Sequence, residues 1–203
     1  RSRCQRVEIP RPGAAPATQW LGTELGAVPA VGLLDLAGGA PLRAAVAVSV
    51  PYVLGCAADR LNQGFSRLYQ WQLLRSLRRN VAEKRNRIQL PLKIQDLSAL
   101  KSFRDFDEHV TAPLHGFDGA DHYYTVSSSR QYLKDIVVPT LLLHARDDPF
   151  MTEEAVPGSH ELSNAVVLEL SAHGGHVGFP GGRFPGHVHT LPEAVMDWMA
   201  SQR

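Results

Sequence analysis

Val138-Pro139-Thr140-Leu141-Leu142-Leu143-His144-Ala145-Arg146-Asp147-Asp148-Pro149-Phe150 is the stretch that decides the fold. Its first half is a short apolar run, the pattern of a strand buried on both faces of a parallel sheet. Its second half is an acidic turn. A second run, Ala165-Val166-Val167-Leu168-Glu169-Leu170, leads into a glycine-rich loop containing Gly174-Gly175-His176-Val177-Gly178-Phe179. Loops at the carboxyl ends of parallel strands share one edge of the sheet, where such proteins build their sites. An acid on one loop and an imidazole on the next match the last two members of a Ser…Asp…His order. Asp-Pro alone reads as a turn, and His176 alone as a loop histidine. Together, each after a strand and in this order, they read as catalytic. The spacing from Ala145 points to Asp148 as the acid, with Asp147 shaping the turn.

Working outward, Leu42-Arg43-Ala44-Ala45-Val46-Ala47-Val48-Ser49-Val50, closed by Pro51, reads as another strand buried on both faces. From about Ala57 to Ile136 the pattern is helical. Phe65, Leu68, Tyr69, Leu73, Leu77 and Val81 recur at three and four, which predicts one inward face, and Trp71 is expected to pack. A further helical piece is expected over residues 97–106, and Ser127-Ser128-Ser129 offers an N-cap for a helix ending near Ile136. Thr190 and Glu193 form a capping-box pattern ahead of a last helix. Strand, long helical insertion, strand, loop, strand, loop, helix is the order of the second half of an α/β sheet. Residues 1–41 are Ala-, Gly- and Pro-rich with weak periodicity.

The chain has 203 residues, is 44% apolar and carries a formal charge of +1, which gives no drive toward nucleic acid. Cys4 and Cys56 form neither a disulfide framework nor a zinc set, which favours a reducing, cytoplasmic setting. No apolar run is long enough to span a bilayer, and a chain starting at Arg1 reads as a fragment or processed piece. His173 with His176, and His187 with His189, lack a third ligand at zinc spacing, so no metal or other cofactor is expected. The basic run between Arg67 and Arg87 contains one acid, Glu83. Its ordinary reading is a solvated helix face, and its functional alternative is peripheral contact with a membrane surface.

Residues 141–151 and 173–179, together with Leu61-Asn62-Gln63-Gly64-Phe65-Ser66-Arg67-Leu68-Tyr69-Gln70-Trp71, resemble the YheT-like branch of the α/β-hydrolase superfamily. That branch holds bacterial esterase-like proteins related to eukaryotic medium-chain phospholipases. The resemblance runs from about Pro41 onward. It implies the second half of an α/β-hydrolase fold over residues 42–203, a parallel sheet with a helical cap over about 52–136, and Asp148 and His176 as triad members. The implied reaction is hydrolysis of carboxylic esters, short- or medium-chain or lipid-like. The family's nucleophile lies on a Gly-x-Ser-Leu-Gly-Gly elbow. At the corresponding distance the chain reads Gly22-Thr23-Glu24-Leu25-Gly26-Ala27, with Glu24 where serine would stand. Ser66, in Gly64-Phe65-Ser66-Arg67-Leu68, is only a half match, with no strand before it. The oxyanion loop would lie upstream of Arg1. The sequence therefore leaves two readings: an ester hydrolase whose nucleophile is not recognisable here, or a catalytically inactive fragment or binding module.

Overall fold

The computed structural model describes residues 43–90, 92–181 and 190–202. Residues 1–41, and with them Glu24 and Cys4, lie outside these, as do His187 and His189. Three parallel strands form one sheet in the order β1-β2-β3, with β1 at Ala45–Val48, β2 at Thr140–Ala145 and β3 at Val166–Ser171. Leu142 pairs with Ala47 on one side and Leu168 on the other. The α/β class expected from the sequence is observed. β2 is buried at every position, as its unbroken apolar run requires. β1 is less enclosed than expected: only Ala47 is buried, and among the described residues β1 pairs with β2 alone.

Between β1 and β2 the chain is helical: α1 Leu54–Leu61, α2 Ser66–Arg85, α3 Phe103–Phe106, α4 Ala112–His115 and α5 Ala120–Ser127. A last helix, α6, spans Thr190–Ser201. The single helical piece expected over 97–106 is instead two elements. Asp96 accepts from the Ser98 amide at 2.9 Å and starts a 3-10 turn, Leu97–Ala99. Ser102 then opens α3 through a reciprocal capping box with Asp105, at 3.1 and 3.0 Å. Two caps so close together make two starts. α3 runs on through a π-helical segment, Asp107–Thr111, into α4, which Gly116 ends at φ 76°.

The serine run also acts differently from expectation. The Ser128 hydroxyl accepts from the Leu54 amide at 3.0 Å and donates to the Tyr124 carbonyl at 2.6 Å. It therefore joins the start of α1 to the end of α5. The segment that follows, Ser129–Asp135, is a 3-10 helix without a side-chain cap.

α2 is rotated from its expected setting. Ser66, Gln70, Leu74 and Val81 are its buried line, while Phe65, Leu68, Tyr69 and Leu73 are exposed, and so is Trp71. Polar pairing fixes this rotation. The Ser66 hydroxyl donates to the Pro149 carbonyl at 2.8 Å. The Gln70 side chain donates to Asn62 at 3.2 Å and accepts from the Phe103 amide at 3.1 Å. An apolar periodicity count is blind to such bonds, because it scores serine and glutamine as outward residues.

Two apolar clusters result. One joins the helices through Leu54, Leu74, Phe103, Phe106 and Val110. The other backs the sheet through Tyr52, Leu133, Ile136, Leu142 and Val166. Burial of a leucine such as Leu74 or Leu142 contributes about 2 kcal/mol. A bidentate ion pair ties the 3-10 segment before β2 to the β2–β3 connection: Arg130 donates twice to Glu161, both at 2.7 Å, and once to the Glu154 carbonyl.

The Arg130 guanidinium, followed by the Gly158 amide, lowers the Glu161 carboxyl from its usual 4.5 to about 2. A carboxyl depressed on folding stabilises fully above its unfolded value and loses that contribution as pH falls through the folded one. Glu161→Gln should cost about 1 kcal/mol at neutral pH, and the difference from the parent should shrink between pH 4.5 and about 2. Urea melts of both forms at neutral pH and near pH 2.5, toward the acid end of that window, check this.

Candidate active site

All three strands are parallel, so their carboxyl ends open on one edge. Three segments meet there: the residues after β1, the acidic turn after β2 and the glycine loop after β3. Asp148 is deeply enclosed, its side chain only 1% exposed against 35% for His176. One Asp148 oxygen accepts from the Phe150 amide at 2.9 Å, and the other lies 2.9 Å from Nδ1 of His176. The structure thus brings together the two residues the sequence singled out. A carboxylate at Nδ1 favours the tautomer with its proton there, which leaves Nε2 as the basic nitrogen. The Phe150 ring meets the imidazole edge-on, with centroids 4.7 Å apart, and fixes its plane.

Asp147 does more than shape its own turn. Its Oδ1 accepts from the Gly174 and Gly175 amides at 2.9 and 2.8 Å, across to the loop that carries His176. The Gly175 amide, then the Gly174 amide and His173, hold this carboxyl below the usual aspartate range. The close approach also explains the glycines. A Cβ on Gly174 would lie 2.9 Å from the Ala145 Cβ and 2.8 Å from the Phe179 ring, and Gly175 has φ +58°. Adjacent aspartates therefore divide the work, one holding the loop and the other the ring.

His176 lines a cavity of about 380 Å³. Its walls are mostly apolar, including Leu54, Ala58, Leu61 and Leu73 from the helices and Val48 from the sheet. Asp107 stands on the same wall, accepting from Thr111 Oγ1 at 2.6 Å and from the Tyr124 hydroxyl at 2.7 Å. Burial, then Asp107, pushes the Tyr124 phenol far up, so it remains a donor. Asp107 opens the π-helical segment, a local geometry that a 3.6-residue pattern cannot reveal.

Ser49, in the sequence only one position of the run that Pro51 closes, lines the cavity as well. Its φ of 51° is left-handed, its side chain is buried, and its hydroxyl has no hydrogen-bond partner among the described residues. Its place between a strand and Pro51 was the only signal in the sequence. His144, buried inside β2, is kept neutral by burial, which lowers its pKa. Ser66 is buried and hydrogen-bonded to the Pro149 carbonyl, so it props the acidic turn from below. Among the described residues no group of His, Cys, Asp and Glu could hold a metal ion, and no helix is long and apolar enough to cross a membrane.

No protein-family model matches the chain. Residue-level similarity is nevertheless clear. The chain is 38% identical over 163 residues to the Escherichia coli protein named "Putative esterase YheT", covering 79% of this chain and 48% of that one. This chain belongs to the YheT-like branch of the α/β-hydrolase superfamily. YheT-like relatives extend to the mouse phospholipase ABHD3, 33% identical over 147 residues, with 71% of this chain and 36% of that protein covered. Bovine monoacylglycerol lipase ABHD2 is 38% identical over 114 residues, with 53% and 25% covered. The chain spans less than half the length of these relatives. The parallel sheet with helices fits this superfamily.

Three substitutions probe how the site is held. Gly174→Ala should destabilise the chain by about 1–3 kcal/mol, because Ala145 and the Phe179 ring must give way. Gly178→Ala, whose nearest contact is the Gly174 carbonyl at 3.3 Å, should cost less. Ser49→Gly should raise stability by about 0.5–1 kcal/mol, since it removes a left-handed side chain and an unpaired buried hydroxyl. Denaturant midpoints of the three variants against the parent decide both points.

Proposed function

We propose that this chain supplies the acid–base half of a carboxylic ester hydrolase, the carrying observation being the Asp148–His176 hydrogen bond at the rim of an apolar cavity. His176 takes the proton of the attacking hydroxyl at Nε2 and later gives it to the leaving alcohol, while Asp148 orients the ring and offsets its charge. Residues of about 52–136 are the cap, and their cavity takes the acyl chain. At about 380 Å³ with an apolar lining, the cavity suits a short or medium-length chain. The names of the relatives, an esterase, a phospholipase and a monoacylglycerol lipase, support an ester or lipid-like substrate. The lipid-like reading extends to peripheral contact with a membrane surface through the basic region between Arg67 and Arg87. The sparse cysteines favour a cytoplasmic setting.

The nucleophile is the missing part of the proposal. Glu24 stands at the elbow position, and Ser66 is tied to Pro149. That single departure favours the second reading, a catalytically inactive fragment or binding module. Turnover of p-nitrophenyl octanoate and labelling by a fluorophosphonate separate the two, using the full chain and its His176→Ala and Asp148→Ala forms. The chain should leave the fluorophosphonate unreacted, and any residual ester turnover should fall at least about 100-fold with His176→Ala. Turnover indifferent to His176 would contradict the acid–base role. Labelling that His176→Ala abolishes would show a nucleophile elsewhere in the chain.

A further inference from the structure

The rotation of α2 leaves an apolar patch in solvent. Phe65 is 74% exposed, Leu68 55%, Trp71 52% and Tyr69 48%. These residues occupy the first turns of the helix, and they cannot roll inward without breaking the Ser66–Pro149 and Gln70–Phe103 hydrogen bonds. The basic residues nearest to them are also free of acids. Neither Arg67 nor Arg75 has an ion-pair partner among the described residues; Arg75 instead lies over the Trp71 ring, 5.7 Å from its centroid.

The patch is continuous with the site. Phe65 meets Tyr69 with centroids 5.9 Å apart, Tyr69 meets Phe150 at 5.1 Å, and Phe150 meets His176 at 4.7 Å. Val177, beside His176 and on the cavity wall, is also exposed. Rings at the cavity mouth with unpaired guanidinium groups beside them have the chemistry of an interfacial helix. The apolar side chains enter the boundary between headgroup and acyl chain, and the arginines meet phosphates.

We propose that the turn from Phe65 to Trp71, with Arg67 and Arg75, docks on an anionic lipid surface and sets the cavity mouth against it. Its purpose, delivery of a lipid ester to His176, rests on the function proposed above; the docking itself does not. It also moves the lipid contact from the whole basic run to the first turns of α2. Three of the other arginines in that run have other engagements. Arg78 donates to the Leu74 and Leu100 carbonyls, Arg85 to the Gln95 carbonyl, and Arg79 faces Glu83. Charge complementarity selects an anionic lipid surface over a protein partner, because the cations here carry no acidic partner and flank exposed aromatic side chains that continue to the mouth of an apolar cavity.

Co-sedimentation of the full chain with phosphatidylcholine vesicles, with and without about a quarter phosphatidylglycerol, tests this together with tryptophan emission. The chain should partition onto the anionic vesicles at low salt with a blue shift that Trp71→Phe diminishes. Phe65→Ser/Leu68→Ser/Trp71→Ser and, separately, Arg67→Glu/Arg75→Glu should each weaken partitioning about tenfold or more, with unchanged thermal melts because these side chains are exposed. No partitioning onto anionic vesicles would overturn the proposal. So would partitioning that both variants leave intact, or self-association of the chain that the triple variant abolishes. Because binding is read without turnover, a failed vesicle assay leaves the ester-hydrolase reading standing, and absent turnover leaves the docking standing.

Discussion

Two neighbouring carboxylates hold the site edge together. Asp147 grips the backbone of the histidine loop through the Gly174 and Gly175 amides, and Asp148 grips its imidazole. Each bond would be weak on a mobile loop. They reinforce one another because both acids hang from the end of a fully buried strand, so the turn that presents them cannot drift. Ser66 adds a third constraint by bonding the Pro149 carbonyl from the helical side. The acidic turn is therefore tied to the sheet, to the glycine loop and to α2. Any change that loosens the turn should be felt at His176, even where the altered residue does not touch the ring.

The same ties explain where the helices stand. Ser66 and Gln70 face inward because each has hydrogen-bond partners there. A buried polar group without partners would cost more than the burial of Leu68 or Tyr69 would return. The helix consequently turns an aromatic face outward and leaves Leu73 on the cavity wall. Cavity and patch are two results of one rotation.

The strands, their order, the acidic turn and the histidine loop were legible in the sequence because each has a local signature: apolar runs, Asp-Pro, and glycines around one histidine. The assignment between Asp147 and Asp148 followed from spacing, and the structure puts Asp148 at the imidazole. What escaped the sequence was non-local. Ser128 bonds a helix start 74 positions away, and Gln70 an amide 33 positions away. Ser49 has a left-handed backbone at the end of β1, and Asp107 stands on the cavity wall at the start of a π-helical turn. Composition and periodicity carry no trace of such partners. The nucleophile is a different case: the sequence shows no recognisable one, and Glu24, at the candidate elbow position, lies outside the described residues.

The central claim is that the buried Asp148 carboxyl holds the His176 proton at Nδ1 and leaves Nε2 free to act as a base. Nitrogen-15 spectra of histidine-labelled chain, recorded across alkaline pH, read this directly. The account predicts a protonated Nδ1 and an unprotonated Nε2 for His176, with the preference lost in Asp148→Ala. A His176 ring protonated at Nε2, or one whose tautomer ignores Asp148→Ala, would contradict it.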